Sequence, residues 1–142
     1  MNIIEYDDHD KLISFYLKRG IEELNEYPNK PVFSYIIRDD DELIAAATCS
    51  KVDDNFVLEA IAVKEEYVNN GIGTTLLKKV LERIKEEGTE TVVANAKNIK
   101  FFEKNGFEVI DKSEVSSKVY SYCLDCELFQ KTCNPTIMKR KV

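Results

Sequence analysis

The sequence of 142 residues lacks a long apolar run, an excess of basic residues and, apart from His9, any histidine. Without about 20 consecutive apolar residues, no segment is expected to cross a membrane as a helix. The first residues show neither a basic segment nor an apolar core, so we expect no secretory signal and a cytoplasmic location. The net charge of −6 argues against nucleic acid or an anionic membrane surface as partner, and it favours a cationic one such as an amine.

The scarcity of histidine also restricts what the four cysteines can do. A cysteine nucleophile needs a neighbouring base, and His9 is far in sequence from Cys123, Cys126 and Cys133, so we do not expect this chemistry. The three cysteines are one ligand short of a closed zinc site, which Cys49 or His9 would have to complete. Two interpretations stay open: a metal-binding loop, or free thiols in a reducing compartment.

The composition is otherwise that of a globular domain, with 44% hydrophobic and 32% charged residues. With this length and no internal repeat or linker, residues 1–142 are expected to form a single domain with one core. The hydrophobic periodicity predicts an α/β fold with a mixed, mostly antiparallel sheet flanked by helices. Strands are expected at residues 2–6, 32–38, 43–52, 55–63, 89–94, 107–110 and 136–142, and helices after Asp8 or Asp10 and at 72–87 and 98–105. The last strand is expected at a sheet edge, and the strand at 89–94 is expected to run parallel to the strand at 55–63. Residues 111–135 are expected to form an irregular segment.

Two elements with a glycine loop between them form the centre of the sequence. Residues 55–63 are nearly all apolar, as in a strand covered on both faces, and the apolar spacing that follows predicts a helix ending at Gly88. The loop between them contains Gly71 and Gly73. The first N–H groups of a helix have no partner within it and attract negative charge. The backbone of residues 69–74 is therefore expected to bind an anion, most simply a phosphate.

This loop differs from two well-known phosphate-binding motifs. A P-loop would continue with Gly-Lys-Ser or Gly-Lys-Thr, and the dinucleotide motif has a third glycine where this chain has Leu76. A tight strand-to-helix turn without any ligand is the alternative explanation of the glycines.

Two segments, in order, resemble the GNAT family of N-acetyltransferases. Residues 68–73 are similar to the family pattern Arg/Gln-x-x-Gly-x-Gly/Ala, with Val68 at the Arg/Gln position. Residues 95–107 are similar to the pattern Asn-x-x-Ala-Ile-x-Phe-Tyr-Glu-Lys-x-Gly-Phe, with Phe102 at the Tyr position. The resemblance covers about residues 31–112 and implies a domain that binds acetyl-CoA.

The resemblance also implies roles for individual residues. The loop amides would hold the diphosphate of acetyl-CoA, three residues of the preceding strand would pair with its pantetheine arm, and an asparagine would hydrogen-bond to it. For that asparagine, the alternative is a turn or cap residue before the next helix. The expected cofactor-binding residues are Ile61, Ala62, Val63, Val68, Asn69, Asn70, Gly71, Ile72, Gly73, Thr74, Asn95 and Phe102.

Glu59 is the predicted general base. In a strand with a period of two it shares a face with Val57, Ile61 and Val63, and a carboxylate there is costly to bury alone, so this face is expected to line a cleft. An ammonium acceptor must lose a proton before it attacks a thioester, and a partly buried carboxylate suits that task. The alternative is a structural Glu59 paired with a Lys or Tyr of a neighbouring strand.

Phe102 cannot protonate the departing thiolate, as the family's tyrosine does. A thiol is acidic enough to leave without help, or water, Tyr120 or Tyr122 would substitute. We therefore expect an acetyl-CoA-dependent N-acetyltransferase that acts on a primary amine of a small molecule or peptide, as a monomer or homodimer. The alternatives are a CoA-binding sensor without catalysis and a small metal-binding interaction protein that uses the cysteine loop.

Overall fold

A computed structural model of the chain describes residues 2–19, 21, 31–53, 55–68, 70–96, 98–114 and 136–142. The strands are β1 (Asn2–Glu5), β2 (Pro31–Asp39), β3 (Glu42–Val52), β4 (Asn55–Val63), β5 (Thr91–Ala96), β6 (Glu108–Ile110) and β7 (Thr136–Lys141). The helices are α1 (His9–Leu17), α2 (Ile72–Glu86) and α3 (Ile99–Lys104). The strands form one sheet in the order β1-β2-β3-β4-β5-β7-β6. β4 and β5 are parallel, and the other neighbouring strands are antiparallel.

The predicted fold class is confirmed, and so is the parallel pairing of the two strands that α2 connects. The predicted edge position of the last strand is wrong. β7 lies between β5 and β6, with Ile137 opposite Asn95 on one side and Met138 opposite Val109 on the other. Ile137 and Met138 are buried because strands flank them on both sides, whereas β6 has only 3 residues and leaves Val109 exposed at the edge.

α2 covers one face of the sheet because its apolar side chains recur at helical spacing. Its buried residues are Leu76, Leu77, Val80, Leu81 and Ile84. The helix ends as predicted at Gly88, whose φ of 83° is left-handed. Thr89 donates its N–H to the Ile84 carbonyl (3.4 Å). Thr89 therefore still belongs to the hydrogen-bonded end of the helix and cannot begin a strand. β5 consequently begins at Thr91, two residues later than predicted.

Arg83 links α2 to β1 and β2 through hydrogen bonds. Its guanidinium donates to the Glu5 carboxylate (2.6 Å), to the Tyr35 hydroxyl (3.2 Å) and to Glu87 (2.9 Å). It also lies over the ring of Phe33, 4.8 Å from the centroid. The hydrogen bond to Glu5, followed by those to Tyr35 and Glu87, raises the pKa of Arg83, so the guanidinium stays charged at physiological pH.

α1 covers the opposite face. Asp8 caps it, as predicted, by accepting a hydrogen bond from the Lys11 N–H (3.2 Å). The helix contributes three buried residues, Leu12, Phe15 and Tyr16, to a second core. The sheet residues of that core are mostly small: Ile36, Ala46, Ala60 and Ala62. The sheet is therefore buried on both faces around β3 and β4, which explains why β4 is apolar almost throughout.

A β-bulge interrupts β4 near its middle. Thr48 of β3 is opposite Ala60, whereas the next residue, Cys49, is opposite Leu58. Glu59 is therefore an extra residue on β4. An inserted residue bends a strand and changes which of the following side chains point to each face. The bulge thus sets the direction of β4 from Glu59 onward, toward the glycine loop.

Candidate active site

The head of α2 carries backbone N–H groups that no helix carbonyl accepts from. Its N-cap is Gly71, in the left-handed region with a φ of 76°, and no side chain of the described residues caps the helix. The first helical bond runs from the Thr75 N–H to the Gly71 carbonyl (3.0 Å), so the amides of residues 72–74 have no partner within the helix. A Cβ built on Gly71 meets no atom within 4 Å. This is the geometry of an anion-binding helix N-terminus; Asn69 lies outside the described residues.

Gly73 is required by a close aromatic neighbour. A Cβ at Gly73 would lie 3.1 Å from Cε1 of Phe101 and 3.6 Å from Cγ2 of Val63. Phe101 is held at the start of α3, where the Asn98 side chain accepts a hydrogen bond from its N–H (3.2 Å). The head of α2, the end of β4 and α3 therefore meet at one point. Sequence reasoning missed Phe101, although its place beside Phe102 in the second family-like segment was an available signal.

Contacts with residues beside the turn between β2 and β3 fix the segment that leads from β4 to the glycine loop. Lys64 forms ion pairs with Glu42 and with Glu66 (3.2 Å). The Tyr67 hydroxyl donates to the Asp39 carboxylate (3.4 Å). Partial burial and the neighbouring Asp39 charge raise the pKa of Tyr67, so its hydroxyl remains a donor at neutral pH. The last residues before the loop are thereby fixed relative to the sheet.

β4 and β5 separate from each other beside this loop. Their pairing covers only 3 residue pairs, from Phe56 with Val92 to Leu58 with Ala94. β4 then continues to Val63, while residues 95–96 of β5 pair with β7. Among the described strands, none lies next to β4 on this side beyond Leu58. Alternate backbone N–H and C=O groups of residues 59–63 therefore face a gap, the β4–β5 gap, in which an extended ligand can pair as an added strand.

Glu59 is the first residue of β4 beyond the β4–β5 pairing, and it is only 4% exposed. The prediction that it shares a face with Val57, Ile61 and Val63 cannot hold for all three residues, because the bulge breaks the period of two between Val57 and Ile61. Val57 packs in a separate cluster with Val93, whereas Ile61 and Val63 pack against the core on the α2 side. The carboxylate is therefore placed by the bulge, at the start of the gap.

A chain of buried hydroxyl groups lies beside the bulge. The Tyr16 hydroxyl and Ser34 Oγ are each 2.8 Å from Oγ1 of Thr48. All three residues are buried, and Thr48 is opposite Ala60, the residue that follows Glu59. Burying a hydroxyl group costs free energy unless the group is hydrogen-bonded, and these three hydroxyl groups are hydrogen-bonded to one another. The sequence held a signal for it, since Ser34 and Thr48 are polar positions within two apolar strands.

The Cys49 thiol lies close enough to Glu59 to be affected by its charge. Burial, followed by the Glu59 carboxylate, raises the pKa of Cys49 well above its ordinary value, and Arg83 opposes this shift. The thiol is therefore neutral at physiological pH. A buried, neutral thiol is a poor nucleophile and a poor metal ligand, because both roles need the thiolate.

Phe102 lies in the core on the α2 side, where it is 5% exposed. Its ring packs edge-to-face against Phe101 and Phe107, with centroids 5.3 and 5.1 Å apart. The ring thus supports the wall of the site near the head of α2, and it has no proton to donate. Asn95 lies in β5 opposite Ile137, and its side chain lies outside what the structure describes.

The cysteine loop falls outside the described residues, as do Tyr120 and Tyr122. Three of the four cysteines are in it, namely Cys123, Cys126 and Cys133. Within the described ranges, no three His, Cys, Asp or Glu side chains are grouped so as to hold a metal ion. The described helices also include none that is long and apolar enough to span a bilayer.

Together these elements place a buried carboxylate, an open strand edge and an uncapped helix head in succession from Glu59 to Thr74. A carboxylate can take a proton, an open strand edge can hold an extended chain, and a helix head can hold a phosphate. A ligand that is long, amide-containing and phosphorylated at one end matches this order. The arrangement can therefore bind such a ligand with its other end near a base.

A model of the acetyltransferase (GNAT) family matches residues 3–107 of the chain, which include Glu59, the β4–β5 gap and the glycine loop. An uncharacterized N-acetyltransferase of Chlorobaculum tepidum is 33% identical over 69 residues. That match covers 49% of this chain and 44% of the relative, so the similarity spans less than half of the relative's length.

Solved structures share the fold over nearly the whole chain. A GNAT-family acetyltransferase of Staphylococcus aureus has a TM-score of 0.71 at 23% identity and covers 99% of this chain and 98% of its own. The PaiA N-acetyltransferase of Thermoplasma acidophilum, solved in complex with coenzyme A, has a TM-score of 0.64 at 19% identity and covers both chains fully, 100% and 100%. N-acetylglutamate synthase of Neisseria gonorrhoeae, complexed with coenzyme A and N-acetyl-glutamate, reaches 0.73 at 17% identity, over 99% of this chain and 35% of its own.

Proposed function

Since the chain belongs to the GNAT acetyltransferase family, we propose that it transfers an acetyl group from acetyl-CoA to a primary amine. The observation that carries this proposal is the β4–β5 gap, which is open from Leu58 to the glycine loop and begins at a buried carboxylate. A turn that served only to connect a strand to a helix would not need the strand edge beside it to be open.

The cofactor would lie along this gap. The amides of residues 72–74 would hold its diphosphate, because no described side chain caps them and they carry the positive end of the helix dipole. The backbone of Ile61, Ala62 and Val63 would pair with the pantetheine amides in the manner of a neighbouring strand. Both contacts use the main chain, so Val68 in place of the family's Arg/Gln costs one side-chain contact and leaves these intact.

Glu59 would act as the general base, directly or through a water molecule. It would take a proton from the acceptor ammonium, and the neutral amine would then attack the thioester carbonyl. A nitrogen–carbon bond forms, the carbon–sulfur bond breaks, and the electron pair leaves with the CoA sulfur. Because a thiol has a pKa of about 8.5, the thiolate can leave without a dedicated acid and take a proton from water. This agrees with Phe102, which cannot donate one.

Two measurements on the purified chain test the proposal. Titration calorimetry with acetyl-CoA should show saturable binding, and a panel of amines should include one that releases CoA thiol. Mass spectrometry of the product should then show an added acetyl group, and omission of the amine is the control for simple hydrolysis. No binding at millimolar acetyl-CoA would overturn the proposal.

A CoA-binding sensor without catalysis is the second candidate, and the buried Phe102 at the family's Tyr position favours it. The same experiment separates the two candidates. Tight binding of acetyl-CoA without thiol release from any amine of the panel supports the sensor, whereas turnover with one amine excludes it.

A further inference from the structure

The hydroxyl chain of Tyr16, Thr48 and Ser34 lies beside the bulge that carries Glu59. The two hydrogen bonds of Thr48 join three elements at this point, since Tyr16 belongs to α1, Ser34 to β2 and Thr48 to β3. We propose that Thr48 is a positioning residue for the reaction: held by Tyr16 and Ser34, it keeps the bulge of β4 at Glu59. The inference rests on the proposed function and identifies what fixes the place of its base.

The bulge in β4 has two neighbouring alternatives. Thr48 is opposite Ala60 and Cys49 is opposite Leu58, so Glu59 is the inserted residue. A shift of the bulge by one position would insert Ala60 or Leu58 instead, and Glu59 would then lie opposite Thr48 or Cys49. Residues directly opposite each other on antiparallel strands have their side chains on the same face of the sheet. Either shift would therefore move the carboxylate into one of the two cores and away from the gap.

The hydroxyl chain opposes the shift that would place Glu59 opposite Thr48. In that register the Glu59 side chain would replace Ala60 in the buried cluster beneath α1, to which Tyr16 also belongs. Tyr16 is fully buried and its hydroxyl is bonded to Thr48, so this close-packed cluster has room for an alanine and not for a longer side chain. The other shift needs no such restraint, because it would bury the carboxylate with Cys49 among the apolar residues of the α2-side core.

Directional hydrogen bonds select one register where apolar packing alone would allow two. Replacing a buried hydrogen-bonded pair with apolar groups of the same shape can leave stability nearly unchanged, so the cluster does not need hydroxyl groups in order to be stable. A satisfied buried polar network instead holds its members in one arrangement. Ser50 gives a contrast on the same strand: it is also fully buried, but its Oγ has no hydrogen-bond partner among the described residues. Of these two hydroxyl groups of β3, the bonded one is therefore the one beside the bulge.

Thr48→Val tests the inference, because it keeps the shape of the side chain and removes the hydroxyl that makes both bonds. With an amine that the unaltered protein acetylates, we expect kcat to fall about 10- to 100-fold, as for a reacting group misplaced by about 1 Å, and the KM for acetyl-CoA to stay the same. Thr48→Ser keeps the hydroxyl and should restore most of kcat. Tyr16→Phe removes one of the two bonds and should cause a smaller loss than Thr48→Val.

Nuclear magnetic resonance measures the register without any acceptor. Cross-strand Overhauser contacts between residues 48 and 60 should be the main set in the unaltered protein, and a second set between residues 48 and 59 should appear in Thr48→Val. If Thr48→Val does not fold, Tyr16→Phe should show the same second set, since it leaves the bond between Thr48 and Ser34 in place.

The control is Ser50→Ala, which removes a buried hydroxyl group of the same strand and should keep both kcat and the single set of contacts. Unchanged kcat in Thr48→Val, a single set of contacts in that variant, or a Thr48→Ser protein as slow as Thr48→Val would each overturn the inference and leave the proposed function standing. An equal loss of kcat in Ser50→Ala would also overturn it, because the effect would then be general damage to the core. Failure of the unaltered protein to acetylate any amine would overturn the proposed function, and the contacts would then decide the register by themselves.

Discussion

At the scale of single residues, the position of the Glu59 carboxylate is set by the bulge in β4. A polar side chain in an apolar strand can be identified from sequence alone, and Glu59 was. The face to which it belongs could not be predicted, because the extra residue is defined only by the pairing of Thr48 with Ala60 and of Cys49 with Leu58 on the neighbouring strand. The buried hydroxyl chain was missed for a related reason, since its members come from three separate elements.

Replacing Glu59 with Gln removes the base and keeps the size of the side chain. We expect kcat at neutral pH to fall by about 10²- to 10⁴-fold, with little change in the KM for acetyl-CoA, whose proposed contacts are with the main chain of other residues. The matched control is Glu86→Gln, an exposed carboxylate on α2. Steady-state kinetics with both substrates measures the effect, and full activity of the Gln variant would remove Glu59 from the mechanism.

Cys49 should be unreactive in the folded protein. Burial and the Glu59 charge raise its pKa, so an alkylating reagent at pH 8 should label Cys49 only after unfolding, as peptide mapping by mass spectrometry can show. The same shift has a consequence for stability. The folded thiol keeps its proton while the unfolded thiol loses it above about pH 8.5, so stability is lost as the pH rises beyond that value. Cys49→Ala should flatten this alkaline decline, and an unchanged decline would contradict the assignment.

At the scale of elements, the loop at the head of α2 combines a need for left-handed backbone with the proposed binding of the diphosphate. Both Gly71 and Gly88 are left-handed, with φ of 76° and 83°, and an added Cβ meets no atom at either site. Gly71→Ala and Gly88→Ala should therefore each cost about 1 kcal/mol of stability. Only Gly71→Ala should also weaken acetyl-CoA binding, because it alters the amides of the helix head. Chemical denaturation measures the stability of each variant, and calorimetry measures its affinity for acetyl-CoA. Equal affinity in both variants would argue against the binding role.

The existence and type of the elements followed from local patterns. The 3.6-residue period of α2, the cap at Asp8 and the glycine at residue 88 depend only on nearby residues, and the structure contains all three. The position of β7 between β5 and β6 did not follow, since it depends on which strand fits the exposed edge of β5. The separation of β4 from β5 did not follow from local patterns either, because it depends on how far the two strands stay paired; only the family resemblance implied it, by assigning the backbone of residues 61–63 to the pantetheine arm.

At the scale of the whole molecule, the sheet consists of two parts joined by only three residue pairs of β4 and β5. The GNAT fold of the chain could be predicted because two separate family-like segments lie on either side of this junction. The path of the proposed cofactor along β4 and the head of α2 could also be predicted, because the resemblance assigns both elements to it.

Hydrogen exchange can test whether acetyl-CoA pairs with β4 in the β4–β5 gap. Amides of residues 59–63 that face the gap, and those of residues 72–74, should exchange rapidly in the free protein and become protected when acetyl-CoA is added. Amides of β1 and β2, which are paired on the far side of the sheet, should not change and serve as the internal control. Uniform protection of the entire sheet would point to general stabilisation instead of an added strand in the gap.

The placement of β7 has a consequence for how the protein is made. In a chain that emerges from the ribosome in order, β5 and β6 lack the strand that lies between them among the described residues until residues 136–141 arrive. Such late, long-range pairing is slow and exposes apolar strands in the meantime. The strand that flanks β5 beyond its pairing with β4 is thus made after β4, the glycine loop and α2. In a nascent chain halted before residue 136, the β5 side of the proposed cofactor gap would lack this supporting strand.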